Sequence, residues 1–356
     1  LDIVRKLATV RSINNISPIP DADNIECATV DGWEVVVKKG QFHIGDICIY
    51  LEIDSWVPNT VAPFLTKPGR EPKEFEGIKG ERLKTARIRG QLSQGLILDY
   101  KDFPEVFNAF HKTRIIDSDP LADNNFDATE ILGVVKWEKP VPANLRGLIK
   151  GNFPNFIRKT DQERVQNMLK SFSFLERRGG TYNWELTEKL DGSSMTVYIN
   201  NGVFGVCSRN LDLLRDENNA FWRAALEEDM ESFLSTKNGN FAIQGELIGE
   251  GIQGNPYKLK GTKFYTFDVF DIDNRTYLSS VPRLEFLGNS NIQHVPIIYP
   301  DMEIVLDIKN ILAQADERKS IVNNTVNAEG IVYKCIQLPD LSFKAISNAW
   351  LLKTGN

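Results

Sequence analysis

The chain has 356 residues, 42 Lys and Arg against 48 Asp and Glu for a net charge of −6, and 42% hydrophobic residues. Such a length suggests two domains, and the composition is globular, which excludes disorder, collagen and coiled coil as the dominant state. The acidic balance excludes a uniformly basic nucleic-acid coat but leaves room for a local basic groove. No uncharged apolar run reaches the roughly 18–20 residues of a membrane helix, and Leu1 to Lys6 do not read as a signal peptide. An intracellular location, in cytoplasm or nucleus, and no membrane partner are therefore expected. Cys27, Cys48, Cys207 and Cys335 lie far apart without a CxxC pair, so free core thiols are expected rather than a zinc site or disulfides. The three histidines form no HExxH, and GxSxG is absent, so a zincin or a Ser-His hydrolase has no support.

Residues 4 to about 100 carry short β-branched segments: Leu7–Val10, Glu34–Val37 and Ile47–Ile53. Pro18, Pro20, Asp31-Gly32, Lys39-Gly40 and Gly45-Asp46 separate them, which predicts a small β-barrel. The stretch Ile16 to Asp23, followed by Gly45-Asp46, resembles OB-fold barrels that bind RNA. The domain junction is placed in the irregular stretch 101–180, giving a barrel over residues 1–110, a linker over 111–140 and a second domain over 141–356. A helix is predicted from Thr160 to Leu175, capped by Thr160 with Glu163 as its partner and ended by Arg177 to Gly180. From Trp184 onward, strands are predicted at 184–190, 194–200, 203–208, 241–248, 264–271, 330–336 and 341–346, with helices at 216–235 and 302–317. The fold class is α+β.

Glu188-Lys189-Leu190-Asp191-Gly192-Ser193-Ser194 closes a strand pattern at a turn. In an extended segment Lys189 and Asp191 share a face. Gly192 permits close backbone approach, and the serines offer hydroxyls, as a phosphate site requires. Alone, Lys-x-Asp-Gly is also an ordinary charged turn. It is followed in order by Cys207-Ser208-Arg209-Asn210, Gln244-Gly245-Glu246-Leu247-Ile248-Gly249, Phe264 to Asp268, Ala328-Glu329-Gly330-Ile331-Val332-Tyr333-Lys334 and Ser342-Phe343-Lys344-Ala345-Ile346. These resemble the six collinear motifs of the covalent nucleotidyltransferases: DNA ligases, RNA ligases and capping enzymes. Ser194 stands where DNA ligases and capping enzymes usually carry Arg, and the barrel precedes the motifs instead of following them. With Gln244 to Asn255, the chain therefore resembles the nick-sealing, ATP-dependent RNA ligases with an N-terminal OB module.

That resemblance implies a C-terminal domain of ATP-grasp-like antiparallel sheets with flanking helices. It implies Lys189 as the nucleophile that takes AMP from ATP, and Lys344 as the lysine that binds the α-phosphate. Arg209 would contact ribose or phosphate, Phe267 would stack on adenine, and Glu188 would border the adenine pocket. Ser194 and Lys334 are further nucleotide candidates, the latter toward phosphate. Asp191, Glu246 and Glu329 offer hard oxygen ligands for Mg²⁺ or Mn²⁺, held partly through water. A lysine is protonated near neutrality and cannot attack, so its neutral form must be favoured, which a nearby divalent cation does. Other roles stay open: Glu188 as an exposed strand residue, Phe267 as core packing, Glu246 as a solvated carboxylate. One departure stands out, since Ile346 and Ala349 occupy positions where many relatives carry a second lysine near Lys344.

Residues 67–89 hold eight basic and four acidic side chains. Arg82, Lys84, Arg87 and Arg89 are read as a nucleic-acid surface rather than a merely solvated face. The reading is an RNA ligase, acting as a monomer on nicked duplexes or RNA ends. The alternatives are an OB-fold binding protein with a decayed nucleotidyltransferase, and a DNA ligase or capping-type enzyme.

Overall fold

The computed structural model describes residues 5–113, 125–138, 147–288 and 290–355. The sheets of the N-terminal part are all antiparallel, and one helix, Pro104–Lys112, packs on their core through Val106. One sheet runs Leu96–Asp99, Ile47–Leu51, Ala8–Ser12, Phe126–Asp127, a second Val135–Lys136, Ser55–Pro58, Ile78–Arg82, Lys73–Phe75, and a third Asn15–Pro18, Ile25–Val30, Trp33–Lys38. A separate hairpin pairs Thr85–Ile88 with Gln91–Gln94. Alternating apolar residues close these sheets over Ile49, Leu51, Val57 and Leu98 on one side and Trp33, Val35, Tyr50 and Ile53 on the other. The barrel predicted from the spacing of strands and turns is the one observed. Asp31-Gly32 is a two-residue turn, and a Cβ on Gly32 would lie 2.7 Å from Gln166 Cα, so only glycine lets the segment 161–168 pass.

Residues 125–138 of the expected linker are built into these sheets. Phe126–Asp127 pairs with Ala8–Ser12, and Val135–Lys136 with Ser55–Pro58. Residues 114–124 and 139–146 lie outside the described residues.

The C-terminal part stacks two sheets. The larger runs Ile149–Asn152, Leu211–Leu213, Val203–Cys207, Ser193–Asn200, Phe241–Gly249, Thr262–Asp271, Thr276–Tyr277, with Gln293–His294 added in parallel to Thr262–Asp271. The smaller runs Glu163–Arg164, Ser342–Ile346, Gly330–Cys335, Asn183–Lys189, Ile297–Glu303. Each has its own core, around Met195, Val197, Ile243 and Phe264 in one and Trp184, Tyr333 and Phe343 in the other. The turn Leu190-Asp191-Gly192 carries the chain from the smaller sheet to the larger, which puts the first motif at their junction.

Three predicted helices are corrected. Residues 163–164 form a strand, a 3₁₀ turn follows over Val165–Asn167, and the helix is Leu169–Arg178. Thr160 does not cap it. The polar residues that suggested a helix start have tertiary partners instead: Asp161 meets Lys344, Arg164 meets Asp54, and Glu163 meets Asn167. The span 216–235 is two helices, Ala220–Glu227 and Met230–Ser235. Asn219 caps the first by accepting from Phe221 and Trp222 N–H, and Asp229 at φ 50° breaks the run. Over 302–317, the helix is Ile308–Asp316 capped by Asp307. The preceding residues complete a strand, Ile297–Glu303, which covers the edge of Asn183–Lys189. All four cysteines are buried and free. Among the described residues, no helix is long and apolar enough to cross a membrane.

Candidate active site

The sheet register brings the motifs together. Lys189 pairs with Gly330, which sets Glu329 beside it, and Ser194 pairs with Glu246 across the larger sheet. Lys189 Nζ lies 2.8 Å from Glu329 Oε2. Glu246 Oε1 accepts from Gly192 N–H at 3.0 Å, and Tyr257 Oη accepts from Asp191 N–H at 2.7 Å, so the turn is held from both flanks. A Cβ on Gly192 would fall 2.3 Å from Leu247 O, which makes glycine obligatory there.

Lys189 is surrounded by carboxylates. Burial alone would depress its pKa, but Glu329, Glu246 and Asp191 outweigh burial and hold it above the ordinary lysine range. The residues present therefore do not by themselves supply the neutral amine. The Glu246 carboxyl is pushed up to about 8 by burial, with Glu329 and Asp191 adding to the rise against Lys189. Three acidic side chains around one ammonium carry more negative charge than it neutralises once Glu246 ionises, and a divalent cation among these hard oxygens would favour that ionisation. Among the described residues, no three such side chains already close on a single point.

A cleft of about 1350 Å³ opens above Lys189, and Glu188, Ser194, Arg209, Phe267, Lys334 and Lys344 all line it. Glu188 is buried, which overturns the exposed-strand alternative. Its Oε2 accepts from Ile321 N–H at 2.7 Å, its Oε1 is buried with no protein partner, and burial raises its pKa. That orphaned acceptor is where a ligand's N–H would be stabilised most. Phe267 is half-buried on the apolar cluster of Leu190, Ile248, Tyr257 and Val295. Lys334 Nζ donates to Phe267 O at 2.7 Å and Asp268 Oδ1 at 2.6 Å, so it braces the strand of the aromatic instead of pointing free toward phosphate.

The opposite wall is cationic. Lys344 Nζ lies 2.8 Å from Asp161 Oδ1, and burial, reinforced by Arg5, Arg164 and Lys189 against Asp161, lowers its pKa to about 8. Arg209 reaches Glu138 at 3.5 Å and Asp161 at 3.9 Å. Ile346 packs with Tyr50, Ile53 and Leu351, so no lysine stands there. Lys136, overlooked in the sequence because it lies in the expected linker, arrives from the N-terminal sheets at 3.5 Å from Asp161. Asp161, Lys136 and Tyr257 lie outside the quoted motifs, and only the fold brings them to the site.

The basic run divides. Lys84, Arg87 and Arg89 are exposed around the hairpin. Arg82 is not part of that surface: its guanidinium pairs with Asp54 at 2.6 Å, lies 3.6 Å over the Trp137 ring and lines the cleft. Arg82 ends the strand Ile78–Arg82, whereas Arg87 belongs to the separate hairpin strand Thr85–Ile88.

Comparison with known proteins agrees with this arrangement. Residues 7–100 match an OB-fold domain family and residues 183–346 the RNA ligase family. Naegleria gruberi RNA ligase with PPi is 46% identical over 98% of both chains, with a TM-score of 0.85. This chain belongs to the ATP-dependent RNA ligases. A mutant of the Naegleria gruberi ligase with AMP and Mn is 45% identical over 98% of both chains with a TM-score of 0.86. Another, with ATP and Mn, is 46% identical over 97% of this chain and 98% of that one, with a TM-score of 0.84. No curated protein matches. The N-terminal OB fold and the two-sheet domain of this ligase are thus both accounted for.

Proposed function

We propose that this ligase seals RNA 3′-OH and 5′-phosphate ends, nicks in a duplex foremost, through a lysyl-AMP on Lys189. The carrying observation is the position of Lys189 Nζ, 2.8 Å from Glu329 in a cleft that Glu188, Ser194, Arg209, Phe267 and Lys344 also line. ATP enters with adenine against Phe267 and its N–H groups toward Glu188, while Ser194 and Arg209 face ribose and phosphate. The unprotonated Lys189 amine forms a P–N bond to the α-phosphorus as the bond to the pyrophosphate oxygen breaks, and the surplus proton leaves the nitrogen. Lys344 stabilises charge on the α-phosphate, and Lys136 takes the place of the absent second lysine. Next, a 5′-phosphate oxygen attacks the adenylate phosphorus and frees Lys189. Finally, the 3′-OH attacks the 5′ phosphorus and AMP departs.

Asp191, Glu246 and Glu329 would hold Mg²⁺ or Mn²⁺, whose positive charge favours a neutral lysine. The Glu329 ion pair by itself favours the protonated lysine. RNA is assigned to the N-terminal unit through Lys84, Arg87 and Arg89, whose exposed charges track phosphates without reading sequence. The co-location of Lys189, Asp191, Glu246 and Glu329 speaks against a decayed enzyme. Incubation with α-labelled ATP and Mg²⁺, then sealing assays on nicked duplexes with RNA or DNA on each side, tests the reading. Enzyme without label, or sealing that favours DNA on both sides, overturns it.

A further inference from the structure

Asp161 has no part in the chemistry above, yet it is the anion around which the cationic wall is organised. Its Oδ1 receives Lys344 Nζ at 2.8 Å, while its Oδ2 lies 3.5 Å from Lys136 Nζ and 3.9 Å from Arg209 Nη2. The three cations come from distant parts of the chain: the Ser342–Ile346 strand, the Val135–Lys136 strand and the segment after Val203–Cys207. Arg5 adds to the positive field on the same carboxylate. Glu138 shares Lys136 at 3.4 Å and Arg209 at 3.5 Å, but among the described residues the ion pair of Lys344 is with Asp161. Two carboxylate oxygens spread over three donors repeat the way a phosphate group is held. Asp161 is also tethered in place: two residues on, Glu163 and Arg164 pair in parallel with Phe343 and Lys344, and Arg164 is pinned to Asp54 at 3.0 Å.

Resting on the reading of Lys344, Lys136 and Arg209 as phosphate ligands, we infer that Asp161 is a positioning residue that sets nucleotide affinity. In the ligand-free enzyme its carboxylate stands in for a phosphate and keeps the three cations converged. An incoming triphosphate must displace it, so binding exchanges one anion for another. The same carboxylate competes with pyrophosphate as that product leaves. The cations are thereby pre-assembled, and affinity for polyphosphate is kept below what they would give alone.

The test uses the full chain carrying Asp161→Asn, which keeps shape and removes charge. Binding of inorganic pyrophosphate is measured by calorimetry and the ATP dependence of enzyme adenylylation by label transfer. The pyrophosphate Kd and the half-saturating ATP should both fall by about 5–10-fold, with the effect on half-saturation exceeding that on the maximal rate. In a Lys344→Met background the gain should disappear, because the released cation is gone. Melting provides a second readout: without ligand the variant should melt below the parent, since buried Lys344 has lost its partner, and pyrophosphate should stabilise it more than the parent. Unchanged or weaker pyrophosphate binding by folded Asp161→Asn overturns the inference and makes Asp161 a structural brace. If Lys344→Met alone leaves both pyrophosphate binding and half-saturating ATP unaltered, the underlying phosphate-ligand reading has failed, and the inference falls with it.

Discussion

Lys189 and Lys344 face one cleft from strands of the same sheet, separated by the Gly330–Cys335 strand, and their surroundings pull them in opposite directions. Both are buried enough to be depressed. Around Lys189 three carboxylates reverse the sign and keep the ammonium charged; around Lys344 three other cations reinforce burial against the single carboxylate of Asp161. The side-chain type is thus the same, and neighbouring charge decides the chemistry. Under the proposed mechanism the carboxylate wall would take a cation, on which Lys189 would depend, and the cationic wall would take phosphate. A nucleotide bridging the two satisfies both.

The comparison breaks most decisively at the nucleophile. Lys189→Ala should reduce enzyme adenylylation by on the order of 10⁴-fold or more, and Lys189→Arg should match it because guanidinium stays protonated. Acid-labile AMP on either variant would remove Lys189 from its role. Next come the carboxylates: Glu329→Gln, Glu246→Gln and Asp191→Asn should each lose about 10–100-fold at limiting Mg²⁺, and EDTA should silence the parent enzyme. Normal label transfer by one of them at limiting metal would take that residue out of the cation site.

The walls should also separate on a pH axis. Adenylylation must wait for Lys189 to lose its proton, so its rate rises with pH, and more Mg²⁺ moves that limb to lower pH. Lys344 loses its charge as pH passes about 8 in the free enzyme, so half-saturating ATP should climb above that pH. Lys344→Arg should flatten the climb even where it slows the reaction. A climb that persists in Lys344→Arg belongs to another group.

A smaller effect lies where the two units join. The Asn167 carboxamide accepts from Arg11 at 2.9 Å and Trp33 at 2.7 Å, and donates to Glu52 at 2.6 Å and Glu163 at 2.9 Å. Asn167→Ala should cost about 2–4 kcal/mol in denaturant unfolding by orphaning buried charge partners. It should also impair adenylylation, because residues 163–164 pair with the strand of Lys344. The motif map alone suggests that residues from about 140 onward can charge Lys189. Lys136 and the partners of Asn167 argue that such a fragment loses part of its cationic wall. The smallest change is at the hairpin: neutralising Lys84, Arg87 and Arg89 should leave adenylylation intact. It should weaken RNA binding and lower its salt dependence by roughly one unit of slope per lost phosphate contact. An unchanged slope would place the RNA elsewhere.

Much of this was legible before any fold was known. Short alternating segments between turn residues specify strands because strand pairing needs only local β-branched character and regular stops, and the barrel and most motif strands followed from that. Lys189, Asp191, Glu246 and Glu329 stood out because their short motifs occur in the order found in the covalent nucleotidyltransferases, and the fold brings all four to one cleft. What tertiary structure alone decided concerns residues whose partners lie far away in sequence. Polar residues at 160–164 look like a helix start, yet Asp161 and Arg164 are claimed by Lys344 and Asp54, 183 and 110 positions distant. Arg82 belongs to the cleft and Arg87 to the surface, although they are five residues apart on one basic run. Lys136 joins the cationic wall from a stretch that reads as linker. Charge type is written in the sequence, but the sign of a pKa shift and the side of a sheet from which a charge acts are sums over neighbours that only the folded chain assembles.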